Sequence, residues 1–402
     1  MFVLTCFILS SNCEAAPDRP MAEKYLTGGS LKKGESALTK HLKAHPNDDQ
    51  ARMGLGTIQM LRGVERMSKS FYSYGVTDRG NQFIFLRVVS SENPNPKPIS
   101  YQDFRKILTK FVSDIDKADQ TLAKVKDQDV KLPLALGKVR LDLNGDGKSD
   151  NNETFADLNK RLRLANLPDT NFEDVQVTFD YSDCLWMRGY CHLLMGLGDI
   201  VIAHDMEEFF NRVGFLLFQE VDSPHSYLED ANPVWMIDNQ TDIVDIIAAI
   251  HLINFPMAEP ERMQSAHQHF MTTLSLSREM WKSIQNETDN DNEWIPNPKQ
   301  TSAVSRIRMS PAMVKSWEGF LDEAEDIMQG EKLVRHWRIR DGRAVNIKKV
   351  FMEPTSFDLV MWVHGSHATP FLEKGTVTDT GFWQTLNRDF GGNFFGFAFW
   401  VN

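Results

Sequence analysis

The sequence predicts a mainly α protein built of helical hairpins, with a small C-terminal β-hairpin or sheet. Apolar residues recur at helical spacing through most of the chain, as in Phe104, Ile107, Leu108, Phe111, Ile115, Leu122 and Val125. A proline-rich linker, Asn93-Pro94-Asn95-Pro96-Lys97-Pro98, removes backbone donors and divides one helical region from the next. Beyond residue 336 the apolar period shortens to two, first around Asp341-Gly342 and again at Phe395, Phe397, Phe399 and Val401.

Composition narrows the function classes. A net charge of −11 and a pI near 5.5 disfavour nucleic acid, whose phosphates need a cationic surface. A 42% hydrophobic content excludes global disorder, because that much apolar side chain must be hidden from water. No uncharged apolar run reaches the ~18 residues of a membrane span. The Met1–Leu9 stretch is apolar and is followed by Ser10, Ser11, Asn12 and then Ala15-Ala16, which reads as a signal peptide over 1–16 and directs the chain to the periplasm or outside the cell. No Lys or Arg precedes the apolar run. Cleavage leaves Cys184 and Cys191. Seven residues apart on one helix they are separated by about 10.5 Å of rise, beyond the ~7 Å a disulfide tolerates, so both are expected reduced and buried.

In order along the chain, Gly34-Glu-Ser-Ala37-Leu38, His45-Pro46-Asn47-Asp48, Leu55-Gly56 and Gly63 ask for two packed helices with a tight turn. This stretch resembles a tetratricopeptide repeat junction over about one and a half repeats, and the resemblance implies a turn at Gly63 and a repeat-like array over 17–130. It lacks the aromatic anchors of that family, with Gln59 where a Tyr is common. Ser100 is placed to cap the amphipathic helix that begins beside Phe104. Leu132 to Gly137 allows a short helix, Thr154 to Ala165 another, and together with the segment between them they make a unit over 131–165. A helical region over 166–335 holds a long apolar pattern from Asp183 to Phe218, broken near His204-Asp205, then helices at 241–253, 260–284 and 311–330. Asn286 to Glu293 reads as a solvated polar loop, having acidic oxygens but no glycine at a sharp-turn position. In the α+β segment 336–402, Asp341-Gly342 predicts a two-residue hairpin turn with positive φ at both positions.

The segment Asp142-Leu-Asn144-Gly-Asp146-Gly147-Lys148-Ser-Asp150-Asn-Asn-Glu153 carries the clearest chemistry. It sets oxygens at positions 1, 3, 5, 9 and 12 of a twelve-residue loop with glycine at 6, the spacing that wraps a chain around one hard cation needing six to eight oxygens. Four carboxylates so close together repel one another without a cation. The segment resembles an EF-hand loop. That resemblance implies Ca²⁺ held by side chains of Asp142, Asn144, Asp146, Asp150 and Glu153 and by the backbone carbonyl of Lys148. Position 8, where a paired EF-hand has an apolar residue, is Ser149. The loop is therefore more like the solitary structural loops of exported bacterial proteins than a paired sensor.

The sequence contains no phosphate-binding, nucleophile-elbow or zincin motif and no strand-borne dinucleotide motif. Histidines are the remaining candidates: His204 with Glu208 four residues on, His364 with His367, and His267 with His269. His267 falls on the apolar seam Met263, Phe270, Leu274, Trp281, as a satisfied core histidine would. Two functions remain open. One is an exported, non-catalytic, calcium-bearing helical module that offers a groove to a protein or peptide partner. The other is a metal-dependent enzyme with a site around His192, His204 and Glu208.

Overall fold

The computed structural model describes residues 21–401 apart from 78–79, 81–83, 90, 151, 163–174, 229–239 and 305–307. The expected signal peptide over 1–16 lies outside the described residues. The chain is mainly helical. The first half contains α1 (Glu23–Thr27), α2 (Leu31–Ala44), α3 (Asp49–Tyr74), α4 (Tyr101–Leu122), β1 (Leu132–Ala135), α5 (Phe155–Leu162), β2 (Gln176–Phe179), α6 (Tyr181–Ala203) and α7 (Glu207–Val213). The second half contains α8 (Gln240–Leu252), β3 (Asn254–Phe255), α9 (Pro260–Asn286), α10 (Pro311–Gln329), β4 (Ala344–Val345), α11 (Ile347–Met352), β5 (Phe357–Asp358), α12 (Leu359–His364), β6 (Leu372–Glu373), α13 (Thr380–Asp389) and α14 (Phe394–Val401).

The long helices start where the sequence supplies a cap. Ser100 Oγ accepts from Asp103 N at 3.1 Å to begin α4, Asp48 Oδ1 accepts from Ala51 N at 2.8 Å to begin α3, and Ser310 precedes Pro311 at the first turn of α10. Gly330, at φ +77°, ends α10 in the left-handed region that a side chain resists. Each long helix packs on the next, α2 on α3, α3 on α4, α4 on α6, α6 on α9 and α9 on α10. One apolar cluster draws on Leu26, Leu55, Leu143, Trp281, Trp317 and Phe394, and a second gathers Phe71, Phe104, Phe210 and Phe218. Cys184 and Cys191 are free and buried on α6. Burial pushes the Cys184 thiol up to about 12, so it stays protonated and unreactive.

Four local expectations are corrected. The first is Gly63, which makes no turn. It lies inside α3, where Ile115 of α4 comes within 3.2 Å of the place a Cβ would occupy. Gly56, two turns earlier on the same face, admits Leu122 even closer, so these glycines bring two helices together rather than end one.

The second is Leu132 to Ala135, a strand and not a helix. Leu132 and Leu134 are buried while Pro133 is exposed, the alternation of a strand, and β1 pairs antiparallel with β2. The third is the two-residue hairpin at Asp341-Gly342, which does not form. Gly342 has φ +85°, but Asp341 does not adopt positive φ; its carboxylate accepts Arg343 N at 3.2 Å and Arg343 Nε at 2.8 Å. Val345 instead bridges Val334 across a longer loop, and β4 pairs with β6.

The fourth is the C-terminus, where α14 replaces a strand. Phe394, Phe397 and Val401 share one helical face against Trp317, whereas Phe395 is 76% exposed. Three antiparallel two-stranded sheets, β1–β2, β3–β5 and β4–β6, are the sheet content of the described residues.

Candidate metal centre

The Asp142–Glu153 segment folds as a chain of turns closed by its last residue. Asp142 Oδ1 accepts from Gly145 N at 2.8 Å and Oδ2 from Gly147 N at 3.2 Å. Asn144 Oδ1 accepts from Asp146 N at 2.9 Å, and Asp146 Oδ1 from Lys148 N at 2.8 Å. Asp and Asn favour such bonds to the backbone two residues on. Gly145 and Gly147 stand at φ +81° and +84°, which a side chain would strain. Glu153 is 1% exposed. Its Oε1 accepts from Leu143 N at 2.9 Å and Asn144 N at 3.1 Å, and its Oε2 from Asp150 N at 3.0 Å. Position 12 thus reaches back to positions 2 and 3. Leu141 N donates to the Glu153 carbonyl and Arg140 bridges Thr154, so the two ends are also tied by backbone.

Three neighbours of this loop come from far away in sequence and carry no local signal. Glu65 Oε1 on α3 accepts from Asp142 N at 3.1 Å; burial raises its carboxyl above the usual range. Lys69 Nζ, one turn later, sits 2.8 Å from Asp142 Oδ2. Ser149 Oγ donates to the Gly29 carbonyl at 3.2 Å, while Arg140 donates to the Ser149 carbonyl at 3.0 Å. Ser149, where a paired loop would be apolar, is therefore seated on the α1–α2 turn.

A second acidic group draws on Glu287 and Glu293 of the polar loop over 286–293, most of which is exposed as expected. Asp289 to Asn292 are exposed, but Glu293 is buried and Glu287 half-buried. Among the described residues, Asp180, Glu287 and Glu293 are the three acids with oxygens within 4.8 Å of one another; the loop acids are spread over their own backbone. Asp180 caps α6 by accepting from Ser182 N at 2.8 Å, and Asp183 returns the favour to Asp180 N at 3.1 Å. Ser182 Oγ donates to Glu287 Oε1 at 2.7 Å.

Burial first, then the charges of Asp180 and Glu293, pushes Glu287 up to about 7, against the bonds from Ser182 and Gln300; burial raises Asp183 in the same direction. Between the ordinary glutamate value and about 7 the folded chain holds a proton that the unfolded chain releases. The associated stability is full in acid and lost as pH rises through 7. With solvent reaching Glu287, Glu287→Gln should remove about 1–2 kcal/mol of that decline. Urea midpoints from acid to alkaline pH, in chelator, check this; an unchanged slope in the variant means that Glu287 is not protonated in the fold.

The histidines do not meet as expected. His192 and His204 are twelve residues apart on α6 and its cap, about 18 Å of helical rise. Glu208 is exposed and pairs with Arg212 at 3.2 Å. His267 Nε2 donates to the Met328 carbonyl at 2.8 Å, as a satisfied core histidine. His367 bonds the Ser356 carbonyl and His364 bonds Ser366 Oγ. His192 meets His269 instead, with Nδ1 atoms 2.8 Å apart. Its Nε2 is 3.4 Å from Asp119, and that of His269 is 3.8 Å from Asp199. Two lone pairs cannot face each other at hydrogen-bond distance, so one proton lies between the rings.

Comparison of the chain with protein-family models, with curated proteins and with solved structures finds no match.

Proposed function

We propose that this chain is a calcium-bearing, non-catalytic helical binding module in which one Ca²⁺ at Asp142–Glu153 stiffens the fold. The observation that carries the reading is the closure of the twelve-residue loop, with Glu153 buried against the backbone of residues 143 and 144. Asp142, Asn144 and Asp146, the turn-forming side chains, are the ligands that the EF-hand spacing assigns, and the glycines at 145 and 147 supply the positive-φ turns between them. Export rests on the sequence alone, on the Phe2–Leu9 run before Ala15-Ala16.

Lys69 gives the site an internal competitor. Its ammonium lies where calcium would draw on Asp142, so it partly neutralises the loop's carboxylates and an arriving ion must displace it. With Kd expected at about 10⁻⁴ to 10⁻³ M, free calcium at one to ten times Kd adds roughly 0.4–1.4 kcal/mol. Calorimetric titration and thermal melts, with and without chelator, test the reading. Glu153→Gln should abolish the calcium response, Glu287→Gln should leave it intact, and Lys69→Met should tighten binding about threefold to tenfold. If Glu287→Gln removes the response and Glu153→Gln does not, the ion belongs to the Asp180 group instead.

A further inference from the structure

A cavity of about 360 Å³ lies at the C-terminal end of α6, roofed by α11, β5 and α12. At roughly 30 Å³ per water-sized group it holds about a dozen non-hydrogen atoms. Its walls include Ile200, Met263, Phe351, Phe357, Trp362 and Phe371, and no charged side chain lines it. An ionic ligand would lose its hydration there without recompense.

His204 is the ionisable side chain at this wall, which also carries Thr355 and Ser356; it is buried, and the nearby Arg105 guanidinium is spent on the His204 and Ile202 backbone carbonyls and on Glu259. His204 Nδ1 is 2.8 Å from the Ile200 carbonyl, which only accepts, so Nδ1 carries the proton and Nε2 is a lone pair. Burial holds the ring below the usual histidine range, against the bond to Ile200, so it is neutral at pH 7. Nε2 makes no hydrogen bond to any described residue. An acceptor set in an apolar wall selects a donor.

The surroundings favour an apolar visitor too. Phe255 of β3 and Phe357 of β5 both line the cavity, and these paired strands join the end of α8 to the start of α12. Those two helices pack together and leave Val244, Ile247, Ile250, Val360 and Val363 exposed, Val363 to 56%. Val201, itself a cavity residue, is exposed as well. Contiguous exposed apolar side chains of this kind mark binding surfaces.

We propose that this cavity binds a small neutral amphiphile, an alkyl chain or ring bearing one hydroxyl, whose O–H donates to His204 Nε2 while its apolar body fills the space between α6, α11 and α12. The site shares no residue with the calcium loop, so experiments in chelator keep the two readings apart.

The probes are n-octanol, its isomer heptyl methyl ether, which has no donor, and octanoate, which is charged. Titrations into the full chain at neutral pH follow Trp362 in the cavity wall and are repeated by calorimetry. Octanol should saturate at one per chain and bind roughly tenfold tighter than the ether, the worth of one well-made hydrogen bond. Octanoate should bind more weakly than octanol. His204→Phe should abolish the preference for octanol over the ether, and His204→Gln, whose amide oxygen accepts, should retain part of it. If His204→Phe does not fold, lowering the pH of the wild type until His204 is protonated should abolish the same preference, since both ring nitrogens then donate. Equal affinity for octanol and ether, octanoate binding as tightly as octanol, or no saturable octanol signal overturns the proposal.

Discussion

Asp199→Ala should lower the free energy of unfolding by about 3 kcal/mol, because it opens a buried charge network between α6 and α9. Asp199 is 4% exposed and its Oδ1 accepts from Arg262 Nη1 at 2.7 Å, with His269 Nε2 on its other oxygen's side at 3.8 Å. Truncation strands the half-buried Arg262 and removes the carboxylate facing the shared-proton histidine pair. Glu259 also holds Arg262, at 2.5 Å, but its side chain is about a third exposed and solvent screens it. Glu259→Ala should therefore cost about 1 kcal/mol or less. Asp199→Asn, which keeps an acceptor and loses the charge, should fall between. Urea denaturation of the three variants gives the order. A cost for Asp199→Ala no greater than that for Glu259→Ala would show that the network does not hold α6 to α9.

Trp317→Ala should cost about 3–5 kcal/mol and release the C-terminal helix. Trp317 is fully buried on α10, its Nε1 donates to Ser277 Oγ at 3.2 Å, and Phe320, Phe390, Phe394 and Phe397 surround its ring with centroids 5.0–6.5 Å away. The cavity left by an indole is too large for four phenyl rings to collapse into without losing contacts elsewhere. Amide exchange through 394–401 should accelerate along with the drop in melting temperature. Two further variants separate helix from strand: Phe394→Ala should cost about 3 kcal/mol and Phe395→Ala less than about 0.5 kcal/mol. The reverse order would restore the strand, since that is the face with Phe395, Phe397 and Phe399 turned inward.

This segment shows where sequence reasoning stops. Residues 394–401 satisfy two periods at once: every second residue from Phe395 is apolar, and so are Phe394, Phe397, Ala398 and Val401. With nearly every position apolar, periodicity carries no information, and the aromatic surface of α10 decides. In α4, α9 and α10 the polar face is present and the helices are legible to within a few residues, with Ser100 marking the start of α4. The Leu132-Pro133-Leu134 segment carries no local sign of a strand because its partner, β2, lies some forty residues away. The same asymmetry holds for chemistry. The turns of the Asp142–Glu153 loop depend on residues two to five apart and could be read directly, whereas Glu65, Lys69, the meeting of His192 with His269 and the Asp180–Glu293 group depend on helix packing and could not.

The seating of Ser149 on Gly29 bears on how the loop behaves in solution. Calcium loops of the EF-hand type commonly find rigidity by aligning with a second loop, in the same chain or in another molecule. Here the edge that would do so is taken: Ser149 Oγ bonds the Gly29 carbonyl, Arg140 N bonds the Leu26 carbonyl, and a Cβ at Gly29 would collide with the Ser149 side chain. The first helical turn of the described chain thus serves as the loop's template, at an effective concentration no diffusing partner can match. On the proposed calcium reading, ion uptake would be an intramolecular property, the same in dilute and concentrated protein. The weak point of this seating is Gly29, where even one added methyl group would unseat the template without touching any of the proposed ligand oxygens.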